Sequence, residues 1–97
     1  MNHPLVIIAL VQARPGFETE LLAAQMKLVQ ETRNAPGCLR YELNLSEDGS
    51  GRVAFVEQWE SPALWQQHMQ SAYMQVFRDT AGHLIGEFDL LQMRQAA

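Results

Sequence analysis

Near its start the chain carries an uninterrupted apolar run, Leu5-Val6-Ile7-Ile8-Ala9-Leu10-Val11. The run is far short of the roughly 20 residues that cross a bilayer as a helix, and it is rich in the β-branched side chains that favour strands. As a strand over residues 5–13 it is apolar on both alternating faces, so both faces must be covered. That requirement shapes everything downstream. The chain must supply helices for one face, and something else must cover the other.

The rest of the sequence supplies the helices. Pro15-Gly16 ends the strand, and Phe17, Leu21, Ala24 and Leu28 then recur at helical spacing, widened by Leu22 and Val29. Glu18 and Glu20 sit in the first turn, where the helix dipole favours anions. Asn34-Ala35-Pro36-Gly37 stops this helix. Residues 38–45 alternate, with Leu39, Tyr41, Leu43 and Leu45 on one face and Cys38, Arg40, Glu42 and Asn44 on the other. A turn at Glu47–Gly51 leads to a third strand, 52–60, on which Val53, Phe55, Glu57 and Trp59 share a face. Ser61-Pro62 starts a helix, with Ser as cap and Pro in the first position. That helix carries Leu64, Trp65, His68 and Met69; a second helical stretch with Tyr73, Val76, Phe77 and Thr80 is continuous with it or bent away. Residues 87–94 form a last strand.

The order β-α-β-β-α-β is the split βαβ, ferredoxin-like α+β arrangement with a four-stranded antiparallel sheet. The 97 residues suit one domain, 1–97. Helices on one face leave the other open, and a second copy is the simplest cover. A homodimer is expected, with Ala9 or Val11 turned toward the partner. The net charge of −4 and the lack of any Lys/Arg run argue against nucleic acid or an anionic membrane as partner. No basic segment leads into the apolar run, so no signal-type segment is expected. The lone Cys38 excludes an internal disulfide and fits a reducing cytoplasm.

Chemistry-bearing residues are few. His3, His68 and His83 have no metal-ligand spacing, and no carboxylate lies one helical turn from His68. No phosphate-binding glycine loop or nucleophile elbow is present. What stands out is an acid, Glu57, between Phe55 and Trp59 on an apolar strand face, where it needs a partner or a purpose. Leu64 and His68 are an i, i+4 pair, so a core-facing Leu64 brings His68 over the sheet as well. Tyr41, Trp65 and Tyr73 could line the same space. A Glu57–His68 or Glu57–Arg40 pair with a structural role alone remains open beside a functional one.

Arg14-Pro15-Gly16, Pro36-Gly37-Cys38 with Arg40-Tyr41, and Val56-Glu57-Gln58-Trp59-Glu60-Ser61 followed by His68, Tyr73 and Phe77 together resemble the antibiotic biosynthesis monooxygenase family of the dimeric α/β barrel superfamily. The Glu-Gln-Trp-Glu-Ser stretch is similar to its quinol monooxygenase members. The resemblance implies oxygenation of a small phenol or quinol by dioxygen with no cofactor. It implies His68 and Glu57 as catalytic groups, with Trp59, Tyr41, Trp65, Tyr73 and Arg40 as substrate contacts and no metal. His68 fits the proton-handling role through its ordinary pKa of about 6.5. The haem-degrading branch of the family carries a first-strand Asn that residues 6–12 lack, and Arg78 stands roughly where its haem-ligating His would be. Two other readings stay open: an isomerase of a small hydroxylated signal molecule, and a non-catalytic ligand-binding dimer.

Overall fold

A computed structural model describes residues 3–97, so the first two residues of the expected domain lie outside it. The elements are β1 (Leu5–Ala13), α1 (Glu18–Thr32), β2 (Cys38–Leu45), β3 (Val53–Trp59), α2 (Pro62–Met69), α3 (Ala72–Ala81), a 3₁₀ turn (Gly82–Leu84) and β4 (Ile85–Met93). The strands form one antiparallel sheet in the order β2-β3-β1-β4. This is the expected ferredoxin-like α+β fold.

The doubly apolar first strand is explained by its place: β1 is central, between β3 and β4. Ile7, Ala9, Val11 and Ala13 point at the helices and are buried. Opposite them, Val6, Ile8 and Leu10 lie on the open face, Leu10 being 36% exposed. The expectation that Ala9 or Val11 faces a partner is therefore corrected. The parity of the strand commits both to the core, and Ile8 and Leu10 are the outward residues.

Two further expectations shift. On β2 the register steps from Cys38↔Trp59 to Arg40↔Gln58, so Leu39 is an extra residue in a bulge. Strict alternation breaks there. Cys38 joins Tyr41 on the helix-facing side, while Leu39 turns out to 52% exposure. On α1 the buried line runs Leu21, Gln25, Leu28, Val29, Thr32, whereas Phe17 is exposed and Ala24 only half-buried. The polar residues Gln25 and Thr32 thus occupy core positions. Thr32 satisfies its hydroxyl by donating to the Leu28 carbonyl at 2.7 Å.

The helical region after β3 is bent, not continuous. Ser61 caps α2 by accepting from the Leu64 N–H, with Pro62 in the first turn as expected. Ser71 is extended (ψ 159°) and caps α3 by accepting from the Met74 N–H, while its own hydroxyl donates to the His68 carbonyl at 2.6 Å. One serine thereby ends one helix, starts the next and fixes the backbone of His68. The chain then returns through the 3₁₀ turn, and β4 begins at Ile85, slightly earlier than expected.

Candidate active site

The sheet's helix-facing side and the three helices enclose a cavity of about 70 Å³. β3 delivers Glu57 to it, β2 delivers Tyr41, α2 delivers Trp65 and His68, and α1 delivers Gln25. Apolar side chains, among them Leu28, Phe55, Phe77 and Leu90, complete the wall. A cavity that accepts benzene measures roughly 150 Å³, so a ring enters only if wall side chains turn aside. Phe88, more than half exposed, and the unbranched, half-buried Met69 are placed to do so.

Behind this wall an aromatic cluster holds the two candidate catalytic groups. Trp59 is fully buried, and its indole N–H donates to Oε1 of Glu57 at 2.9 Å. Its ring lies 4.6 Å from the His68 ring at 30°. Tyr41 meets His68 edge-on at 5.7 Å and Trp59 at 6.3 Å. The Tyr73 hydroxyl is hydrogen-bonded to Nδ1 of His68 at 2.5 Å, tying α3 to α2. No hydrogen bond joins Glu57 to His68 among the described residues. Each is held instead by an aromatic neighbour.

Electrostatics separates their roles. Burial disfavours the carboxylate of Glu57 and pushes its pKa up to about 7, partly offset by the Trp59 hydrogen bond. Burial, with Arg78's positive charge second, pulls His68 down to about 4. Arg78 is held there by donating to the Met69 carbonyl at 3.0 Å. Burial and then the negative charge of Glu57 push the Tyr41 phenol well above its usual range, so it stays neutral. The expectation that His68 titrates near its ordinary value is thus corrected: at neutral pH it is uncharged and a weak base. The group matched to neutral pH is Glu57.

The residues expected from sequence divide into three sets. Glu57, His68, Tyr41 and Trp65 border the cavity. Trp59 and Tyr73 hold Glu57 and His68 from behind. Arg40 does not join them. It lies opposite Gln58 on the open face of the sheet, exposed, and pairs with Glu42 at 2.7 Å. The alternative Glu57–Arg40 pair fails for the same reason, since neighbouring ladder positions point to opposite faces. Gln25 was not expected. Its signal was a polar residue four after Leu21 and three before Leu28, inside the apolar stripe. No three His, Cys, Asp or Glu residues cluster in metal-binding geometry among the described residues, and no helix there is long and apolar enough to cross a membrane.

Residues 4–80 match the antibiotic biosynthesis monooxygenase family, and the chain belongs to it. The Pseudomonas aeruginosa protein PA3566 superposes with a TM-score of 0.93 at 28% identity, covering 100% of this chain and 98% of that one. The Shewanella oneidensis protein SO0527 does so at 0.88 and 31%, covering 98% and 93%. The Synechocystis protein sll1783 is 24% identical over 86 residues, which are 89% of this chain and 58% of that protein. This chain therefore spans little more than half of that relative. Family membership supports a general monooxygenase-type function.

Proposed function

We propose that this chain is a cofactor-independent monooxygenase, a cytoplasmic homodimer, that oxidises a small phenolic or quinol-type ring with dioxygen. One observation carries the reading: a single, largely apolar cavity is bordered both by a carboxyl poised near neutral pH and by a histidine kept uncharged. Glu57 as carboxylate takes the phenol proton. The phenolate is electron-rich enough to pass one electron to dioxygen, and the resulting superoxide and phenoxyl radical join in a C–O bond at a ring carbon. The O–O bond then breaks as that carbon loses its proton, leaving a carbonyl and a hydroxide, which takes the proton held by Glu57. In all, one ring C–OH and one ring C–H become two C=O groups, dioxygen is consumed and one water forms.

His68 acts here as a neutral hydrogen-bonding group. In this reading the Tyr73 hydroxyl is the donor of the bond it shares with Nδ1, so the imidazole carries its proton on Nε2 and offers it to the phenolate oxygen. The low-dielectric wall strengthens that bond and excludes water from the radical pair. A second copy covers the open sheet face, where Val6, Ile8, Leu10, Val56 and Leu91 form an apolar band, giving the dimeric barrel. Oxygen uptake with a hydroquinone, without added metal or flavin, tests the reading. Uptake that Glu57→Gln abolishes supports it. Absence of uptake across a panel of phenols and quinols, or ring isomerisation without oxygen, overturns it.

A further inference from the structure

Gln25 has no role in the chemistry above, yet it is 1% exposed and borders the same cavity. Its Nε2 is buried with no hydrogen-bond partner among the described residues. A buried amide left unpaired is costly, and Leu or Met at this point of the α1 stripe would avoid the cost. Gln25 approaches the cavity from α1, Glu57 from the sheet and His68 from α2. The polar atoms available to a ligand are therefore spread over three walls of an otherwise apolar space.

We infer that Gln25 is a specificity-determining residue whose amide N–H donates to a second oxygen of the substrate. The inference rests on the proposed function and narrows its substrate class. The ring carries one oxygen with a dissociable proton, presented to Glu57, and a second oxygen that accepts from Gln25. Hydroquinones and hydroxylated rings bearing a carbonyl or ether oxygen meet this pattern, whereas simple phenols leave the amide unpaired. The space as it stands is smaller than one ring, so either substrate enters only with the movement of the wall side chains described above. A site that pairs a buried polar group with a substrate oxygen discriminates sharply against analogues lacking it.

The test is anaerobic titration calorimetry of hydroquinone and of 4-methylphenol, a near-isosteric ring with one oxygen replaced by methyl. Both are titrated into wild-type protein and into Gln25→Met, which keeps the length of the side chain. The ratio of the two Kd values cancels general differences in ring hydrophobicity. It is expected to move toward 4-methylphenol by at least about tenfold in the variant. Tm without ligand should stay level or rise, since an unpaired amide is removed. If both rings bind and the ratio is the same in the two proteins, Gln25 reads no oxygen and the inference falls while the proposed function stands. A Tm drop of several degrees in both Gln25→Met and Gln25→Leu also overturns it, because the amide is then bonded in the empty protein. If neither ring binds the wild type, the proposed function itself fails and takes the inference with it. Gln25→Leu supplies the same comparison should the methionine variant not fold.

Discussion

Trp59 donates its indole N–H to Glu57 two residues earlier on the same strand, at 2.9 Å, while its ring packs against His68. One fully buried side chain thus fixes both members of the proposed catalytic pair. It does so by sitting behind them rather than between them and a substrate. That arrangement holds the carboxyl and the imidazole without an ion pair between them, and it sets up a pH dependence with two opposing arms.

Glu57 has a folded pKa of about 7, above its ordinary 4.5. Its contribution to stability is complete below pH 4.5 and is lost as pH rises through 7. His68 has a folded pKa of about 4, below its ordinary 6.5. Its contribution is complete above pH 6.5 and is lost as pH falls through 4. Between pH 4 and 7 the two nearly cancel in the wild type. Removing one exposes the other: Tm of Glu57→Gln should climb with pH across this window, and Tm of His68→Gln should fall. The free-energy swing in each is on the order of 2 kcal/mol. Parallel Tm–pH curves for wild type and both variants would show that neither group is perturbed in the folded state.

Turnover should follow the ionisation of Glu57. With hydroquinone, kcat/KM is expected to rise through pH 7 to a plateau, and Glu57→Gln to lower kcat by about a hundredfold to ten-thousandfold. His68→Gln, which removes a hydrogen-bond donor rather than the base, should cost less and leave the midpoint of the profile in place. A rate profile with its midpoint near 4, or a Glu57→Gln enzyme as fast as wild type, contradicts the assignment of roles.

Gly37 links the fold to the site. It lies in the left-handed region (φ 80°), and a Cβ there would come within 2.5 Å of Leu64 Cδ1 on α2, the helix that carries His68. Gly37→Ala combines a left-handed backbone penalty of about 1–2 kcal/mol with an overpacking cost of about 1–3 kcal/mol. Gly16 is equally left-handed (φ 89°), but nothing lies within 4 Å of its would-be Cβ, so Gly16→Ala should show the backbone penalty alone. Urea denaturation of both variants gives the difference directly. Equal losses would mean that Leu64 moves aside freely.

Periodicity made the fold legible, and it also made the face of β3 legible. Val53, Phe55, Glu57 and Trp59 are all buried on the helix side as their alternation implies. It failed where a single extra residue, Leu39, reversed the parity at the start of β2 and moved Cys38 inward. On α1 the apolar residues alone gave a stripe through Ala24, but the buried line passes through Gln25 and Thr32. Polar core residues are invisible to a count of apolar ones. That Glu57 and His68 border one cavity followed from spacing, whereas the proposed assignment of base to Glu57 did not. That depends on burial and on Arg78, which reaches back to the end of α2 through the Met69 carbonyl. Arg40 was one residue from the right face, and in a strand that is the wrong face.

The parity of β1 also decides how the expected dimer is tested. Ile8 pairs with Val56 and Leu91 on the open face, and Val11 pairs with Val53 and Phe88 on the helix-facing side. A glutamate at Ile8 meets water in a monomer but is buried and uncompensated in a dimer. A glutamate at Val11 is buried in either state, and an unpaired buried charge is strongly destabilising, by about 3–5 kcal/mol. Ile8→Glu should therefore yield a folded monomer by light scattering, with helix and sheet signals retained in circular dichroism. Val11→Glu should lose both structure and assembly. A wild type that scatters as a monomer at micromolar concentration would show that the open face needs no second copy. An Ile8→Glu protein that remains dimeric would place the interface elsewhere on the molecule.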